Sequence, residues 1–179
     1  MSRYVAFLRG MNLGGRRIKN EELRRHFEEM GFEEVATFRA SGNVIFTAPS
    51  RESESKLAQR VETELDARLG YDVPVFLRSI EEVAAIAEQQ PFAPKQVEKS
   101  KGKLQVSLLK KKPTAAAKKK VLTLSSDEDL LAIEGRELYW LPSAGISESD
   151  LDLKAIDSAL GPGTIRTMGT IEQIISKYS

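Results

Sequence analysis

Tyr4-Val5-Ala6-Phe7-Leu8 is a short apolar run that ends in Arg9 and opens at once into Gly10-Met11-Asn12-Leu13-Gly14-Gly15. An apolar run this short, closed by glycine, reads as a strand rather than a helix. Glycine is the residue that tolerates positive φ or close approach of another group. A strand therefore feeds a loop whose backbone N–H groups can cradle an anion. Strand alternation puts Val5, Phe7 and Arg9 on one face and Ala6 and Leu8 on the other.

The rest of the chain arranges itself around this strand. Asn20 suits a helix N-cap, with Glu21 and Glu22 at the positive end of the dipole. Leu23, Phe27 and Met30 form the apolar stripe, and Gly31 ends the helix. Strands over 35–40 and 44–47 flank Ser41-Gly42-Asn43, the clearest hairpin signal in the chain. A helix over 52–69 carries Leu57, Val61, Leu65 and Leu69. A strand over 73–78 contains Pro74, which argues for an edge position.

That order is β-α-β-β-α-β, the ferredoxin-like unit. A helix over 80–90 follows, stopping before Pro91. A strand over 104–109, a short helix from Pro113, a hairpin across Glu134-Gly135-Arg136-Glu137, a helix over 151–160, a strand over 164–168 and a helix from Thr170 repeat the order. The expected fold is α+β: two tandem ferredoxin-like halves, the second irregular. Residues 1–79 form the first half, 80–103 a helical, Lys-rich connector and 104–179 the second half. The halves share element order, with no matching sequence between them.

Composition narrows the chemistry. The chain has no cysteine, which excludes disulfides, a thiol nucleophile and thiolate metal sites. No apolar run approaches the roughly 20 residues that span a bilayer. Met1-Ser2-Arg3 shows no cleavage pattern, so the expectation is a cytoplasmic protein with no membrane partner. Residues 94–120 carry ten lysines against the single carboxylate of Glu98. Such a stretch is a solvated face or the contact for an anionic partner. Its lysines lack interleaved aromatics, so nucleic acid would be held by phosphate attraction alone.

In the ferredoxin-like order, the hairpin turn lies at the same sheet end as the glycine-rich loop. Arg9, Gly10, Asn12, Gly14, Gly15, Arg16, Ser41, Gly42 and Asn43 then share one concavity, with Arg17 and Lys19 adding charge. Arginine supplies a fork suited to phosphate or carboxylate. The bland alternative is that the glycines only make turns and the asparagines hold their own backbone. RNA-recognition domains share this topology, and Arg39, Gly42, Val44 and Phe46 fit their third-strand motif. Ser41 and Asn43 stand where its stacking aromatics belong, which argues against that mode.

Other candidates are weaker. His26 is the only histidine and cannot alone make a common zinc site. Asp127-Glu128-Asp129 lacks the spaced oxygens of a calcium loop. Tyr139 and Trp140 alternate across a strand and so face opposite ways. There is no GxxxxGK[ST] loop, GxSxG or HExxH. No cofactor or catalytic residue is assigned.

The run Tyr4 to Gly15, with Thr37-Phe38-Arg39-Ala40-Ser41-Gly42-Asn43-Val44-Ile45-Phe46, resembles the bacterial family called domain of unknown function 1697. Pro91-Phe92, Arg166 and Thr170 also match its pattern. Thr167 stands where the family usually has Asn. The resemblance implies a fold and a site, with Arg166 added to the ligand-binding candidates, but no reaction. The leading expectation is a cytoplasmic protein that binds a small anionic or nucleotide-like ligand at the glycine-rich loop. The alternatives are a nucleic-acid-binding module using 95–120, or an enzyme in the same cleft.

Overall fold

The computed structural model describes residues 1–10, 18–39, 42–49 and 51–179. It is a mixed α+β protein with two four-stranded antiparallel sheets and, among the described residues, seven α-helices. The chain divides into two compact units: Met1–Ala85 with Ile174–Ser179, and Ile86–Gln173. No described helix is long and apolar enough to cross a membrane.

The first unit runs β1 (Ser2–Leu8), α1 (Asn20–Glu29), β2 (Glu33–Thr37), β3 (Asn43–Ala48), α2 (Glu54–Leu69) and β4 (Val75–Ser79). Its sheet order is β2-β3-β1-β4, with every neighbouring pair antiparallel. Ala6, Leu8, Val44, Phe46 and Leu77 share one core with Leu23 and Phe27 of α1 and Leu57, Val61 and Leu65 of α2. The Phe32 and Phe46 rings meet at a tilt within it, centroids 4.4 Å apart. On the opposite face Val5, Phe7, Ile45 and Phe76 are also fully buried. A strand buried on both faces needs a near-continuous apolar run, which is what residues 4–8 supply.

The boundaries follow local chemistry. Ser53 caps α2 by accepting the Lys56 N–H, and Gly70 ends it at φ +79°. Strand β4 lies at the sheet edge and begins after Pro74 rather than before it. Proline has no N–H to give a ladder, but the Pro74 carbonyl accepts the Arg9 N–H at 3.1 Å. The expected N-cap, Asn20, is instead the first residue of α1, and Lys19 holds the cap position without a side-chain bond.

Helix α3 (Ile80–Glu88) follows β4 without a loop. The second unit contains α4 (Pro94–Lys99), β5 (Gln105–Leu109), α5 (Ala115–Leu122), β6 (Asp129–Glu134), β7 (Glu137–Pro142), a 3-10 turn at Ile146–Glu148, α6 (Leu153–Leu160) and β8 (Gly163–Thr167). Helix α7 (Met168–Tyr178) starts in this unit and ends in the first. The sheet order is β6-β7-β5-β8, again antiparallel throughout. Leu109, Leu131, Ile133, Leu138 and Trp140 pack on Val121 of α5 and Ile156 and Leu160 of α6.

Tyr139 and Trp140 do face opposite ways, and both rings are buried. Neither is a surface platform. The Trp140 Nε1–H donates to Asp129 Oδ1 at 2.8 Å, and the Ser149 hydroxyl bonds the same oxygen at 2.8 Å. Asp129 is therefore a buried acceptor that ties β6, β7 and the 3-10 turn together, not part of a cation loop. Removing it strands a buried indole donor. Asp129→Ala is predicted to cost about 1–3 kcal/mol of stability. Asp129→Asn, which keeps the accepting oxygen, is predicted to cost less, and the two denaturation midpoints check this ordering.

Candidate functional site

The site takes shape where β1 runs out. Phe7 pairs with Asn43, the first residue of β3. One residue on, the Leu8 N–H donates to the Gly42 carbonyl at 2.8 Å. Arg9 then donates to Pro74, so β1 is held on both sides up to the point where Gly10 turns away at φ +71°. Gly42 sits at φ +81°. The end of β1 and the start of β3 are therefore direct neighbours.

The start of α1 reaches the same place. Asn20 Nδ2 donates to the Arg39 carbonyl at 3.3 Å. Arg39 is held at φ +60°, a left-handed conformation that costs a non-glycine residue roughly 1–2 kcal/mol. Such strain collects at ligand clamps and switch regions. Asn43 is 1 % exposed, and its Nδ2 donates to the Phe38 carbonyl at 2.9 Å. The Phe38 N–H returns a bond to the Asn43 carbonyl at 2.9 Å. One task of Asn43 is thus to hold the turn.

Of the candidates, Arg9, Gly10, Gly42 and Asn43 come together at this end. Asn12, Gly14, Gly15, Arg16 and Ser41 lie outside the described residues. The sequence marks Asn20 only as a helix N-cap and Arg39 only as a match to a third-strand motif, and neither as a site residue. Nothing local marks Arg39, because arginine has no preference for positive φ.

Arg166 lies in the second unit, on β8. It is 9 % exposed, and its Nη1 donates to Thr164 Oγ1 at 2.7 Å and to the Ile165 carbonyl at 2.9 Å. Burial lowers its pKa to about 10, so it remains a cation at neutral pH. Thr167 next to it accepts the Thr170 N–H at 3.2 Å, capping α7. Asparagine caps a helix in the same way.

The lysine-rich stretch does not form one surface strip. Lys95 and Lys99 on α4, with Lys101 and Lys103, come before β5, whereas Lys110, Lys111 and Lys112 come after it. The five residues of β5 separate the two groups by about 17 Å. The grooves of this unit are also weakly equipped. One of about 170 Å³ is lined by Lys99, Asp127, Leu130 and Leu141 among others, and an open one of about 430 Å³ runs along Lys118, Lys119 and Leu122. Neither gathers convergent buried polar groups.

His26 lies on α1 beside Glu29, which bonds Arg68 Nη1 at 2.6 Å. Burial lowers the His26 pKa, and Arg68 and Arg25 lower it further, against the pull of Glu29 and Glu22.

A family model described as "Protein of unknown function (DUF1697)" matches residues 1–139. The chain belongs to the DUF1697 family. A solved structure, the conserved bacterial protein SP0830 from Streptococcus pneumoniae, shares its fold at a TM-score of 0.75. The two are 22 % identical over 99 % of this chain and 98 % of that one. No curated protein sequence matches the chain. This DUF1697 protein shares that fold at low sequence identity.

Two predictions follow from these residues. Thr167→Ala removes the α7 cap and is predicted to cost about 1 kcal/mol, while Thr167→Asn, the family's usual residue, leaves the denaturation midpoint nearly unchanged. For His26 the folded pKa lies below the unfolded one, so acid favours the unfolded chain. Its contribution is present above about pH 6.5 and is lost as pH falls. His26→Gln should flatten that part of the stability curve, measured between about pH 7.5 and 5.5.

Proposed function

We propose that this protein binds a small anionic, nucleotide-like ligand at the end of β1. The observation that carries the reading is the convergence of three backbone segments. The Leu8–Gly42 bond brings β3 to β1, and the Asn20–Arg39 bond brings the start of α1 to the turn. Arg9, Lys19 and Arg39 are thereby gathered at one sheet end, with two glycines at positive φ beside them. The Lys19 cap position adds a helix N-terminus without a side-chain acceptor of its own. Helix N-termini of that kind favour anions. Glu21 and Glu22 in the first turn of α1 oppose this charge and favour a ligand seated on the Arg9 side.

The second part of the proposal concerns the fold. We read both halves as ferredoxin-like. In each, the crossover from the first strand to the second leaves room for the third strand between them, and the fourth pairs on the other side of the first. That order brings the two loops of the site together.

Titration with pyrophosphate tests the ligand reading. Arg9→Ala should weaken pyrophosphate binding at least tenfold while stability changes by less than about 1 kcal/mol. A destabilisation of about 3–5 kcal/mol, the cost of breaking a buried ion pair, would make Arg9 structural. Unaltered binding in a stable variant would remove it from the site.

A further inference from the structure

We infer that the Phe38–Tyr178 ring pair is a base-stacking platform, so that the ligand of this site is a nucleoside phosphate. This rests on the anion-site reading above and names the other half of the ligand. Phe38 follows β2 directly, and its N–H bond to the Asn43 carbonyl continues the β2–β3 ladder by one residue. Phe7, Asn43 and Phe38 therefore form one row across three strands, on the face that the alternation of β1 also gives to Arg9. Two strand spacings, about 10 Å, separate the β1 end from the Phe38 end of that row. A nucleoside phosphate places its phosphate and base at two such separated points.

The platform is built from distant parts of the chain. Tyr178 closes α7, and its ring meets Phe38 edge-on with centroids 6.3 Å apart. The Tyr178 hydroxyl donates to the Thr37 carbonyl at 3.4 Å, and Arg3 Nε donates to the Tyr178 carbonyl at 3.3 Å. Arg3 is itself anchored on Thr47 Oγ1 at 3.1 Å. The two rings are thus fixed in place before any ligand arrives, while both residues remain only half-buried. Fixed, part-exposed aromatics are what base stacking requires.

Charge points the same way. The Arg39 guanidinium carbon lies 5.3 Å from the Phe38 ring centre, and Lys177 Nζ lies 6.0 Å from it and 5.5 Å from the Tyr178 ring. Both cations sit beside the rings, where a phosphate joined to a stacked base would also lie. Arginine planes also stack on bases. Aromatic rings at Ser41 and Asn43, where RNA-recognition domains keep theirs, are replaced here by rings at Phe38 and Tyr178.

The test compares ADP, ribose 5-phosphate and pyrophosphate by calorimetric titration. ADP should bind at least about tenfold more tightly than ribose 5-phosphate, the order expected of one stacked base. Phe38→Leu and Tyr178→Leu, which keep apolar volume, should each remove most of that advantage and leave ribose 5-phosphate unchanged. Saturation-transfer NMR on the unmutated protein should show the adenine protons receiving the strongest transfer. Equal affinity for ADP and ribose 5-phosphate would overturn the platform and leave the anion site standing. Failure of all three to bind would overturn both. A short single-stranded oligonucleotide that binds far more tightly than ADP, with a steep salt dependence, would replace the nucleotide with nucleic acid.

Discussion

The bond from the Leu8 N–H to the Gly42 carbonyl is the interaction on which the first unit turns. It is the last rung between β1 and β3, and it decides where the ladder stops. Val5, Ala6 and Phe7 are fully buried with neighbours on both edges, so β1 cannot bend before Leu8. The chain must therefore leave the sheet at Arg9–Gly10, and Gly10 takes the positive φ that this requires. A rigid strand ending in a glycine beside a cation positions backbone and charge together. The precision of the site follows from the core beneath it.

Much of this was legible, because the signals involved are local. Leu23 and Phe27 are buried, Gly31 and Gly70 take positive φ after their helices, and Glu134–Glu137 closes a hairpin. Each depends on a few neighbouring residues. Helix α4 was expected only as part of a helical connector, since Pro94–Lys99 buries none of its residues and so has no apolar stripe. Arg39 and Tyr178 were illegible for different reasons. Arg39 takes a positive φ that no local signal marks, and its carbonyl accepts from Asn20, nineteen residues away. Tyr178 reaches Thr37 across 141 residues of sequence. No periodicity carries that distance, and a terminal Tyr on a helix reads simply as one more part-buried aromatic.

The two sheets carry a repeat that the sequence hides. Val5 pairs with Arg78 on β4, and Val106 pairs with Arg166 on β8. Each arginine is buried on an edge strand, and each is followed by a hydroxyl that caps the next helix: Ser79 accepts the Glu82 N–H, and Thr167 accepts the Thr170 N–H. Arg78-Ser79-Ile80 through Val83 thus corresponds to Arg166-Thr167-Met168 through Ile171. The match is short, and only the strand register brings it into line. Thr167 fills the place of the family's Asn at the start of α7, where Asn would serve in the same way. The requirement there is an acceptor for the first turn of a helix that begins without a loop, and both side chains meet it.

Charge density, rather than charge total, separates the two basic regions. The ten lysines of 94–120 outnumber the cations at the end of β1, but β5 holds Lys95, Lys99, Lys101 and Lys103 about 17 Å from Lys110, Lys111 and Lys112, beyond the screening length of about 8 Å at physiological salt. Arg9, Lys19 and Arg39 are fewer, yet two hydrogen bonds draw their backbones to one sheet end. Lysine is a strongly hydrated point charge on a flexible stem, whereas arginine carries a pre-organised fork. A small anion gains more from a few convergent donors than from many dispersed ones. On the reading proposed above, the shorter basic segment, and not the more conspicuous one, is the place for a ligand.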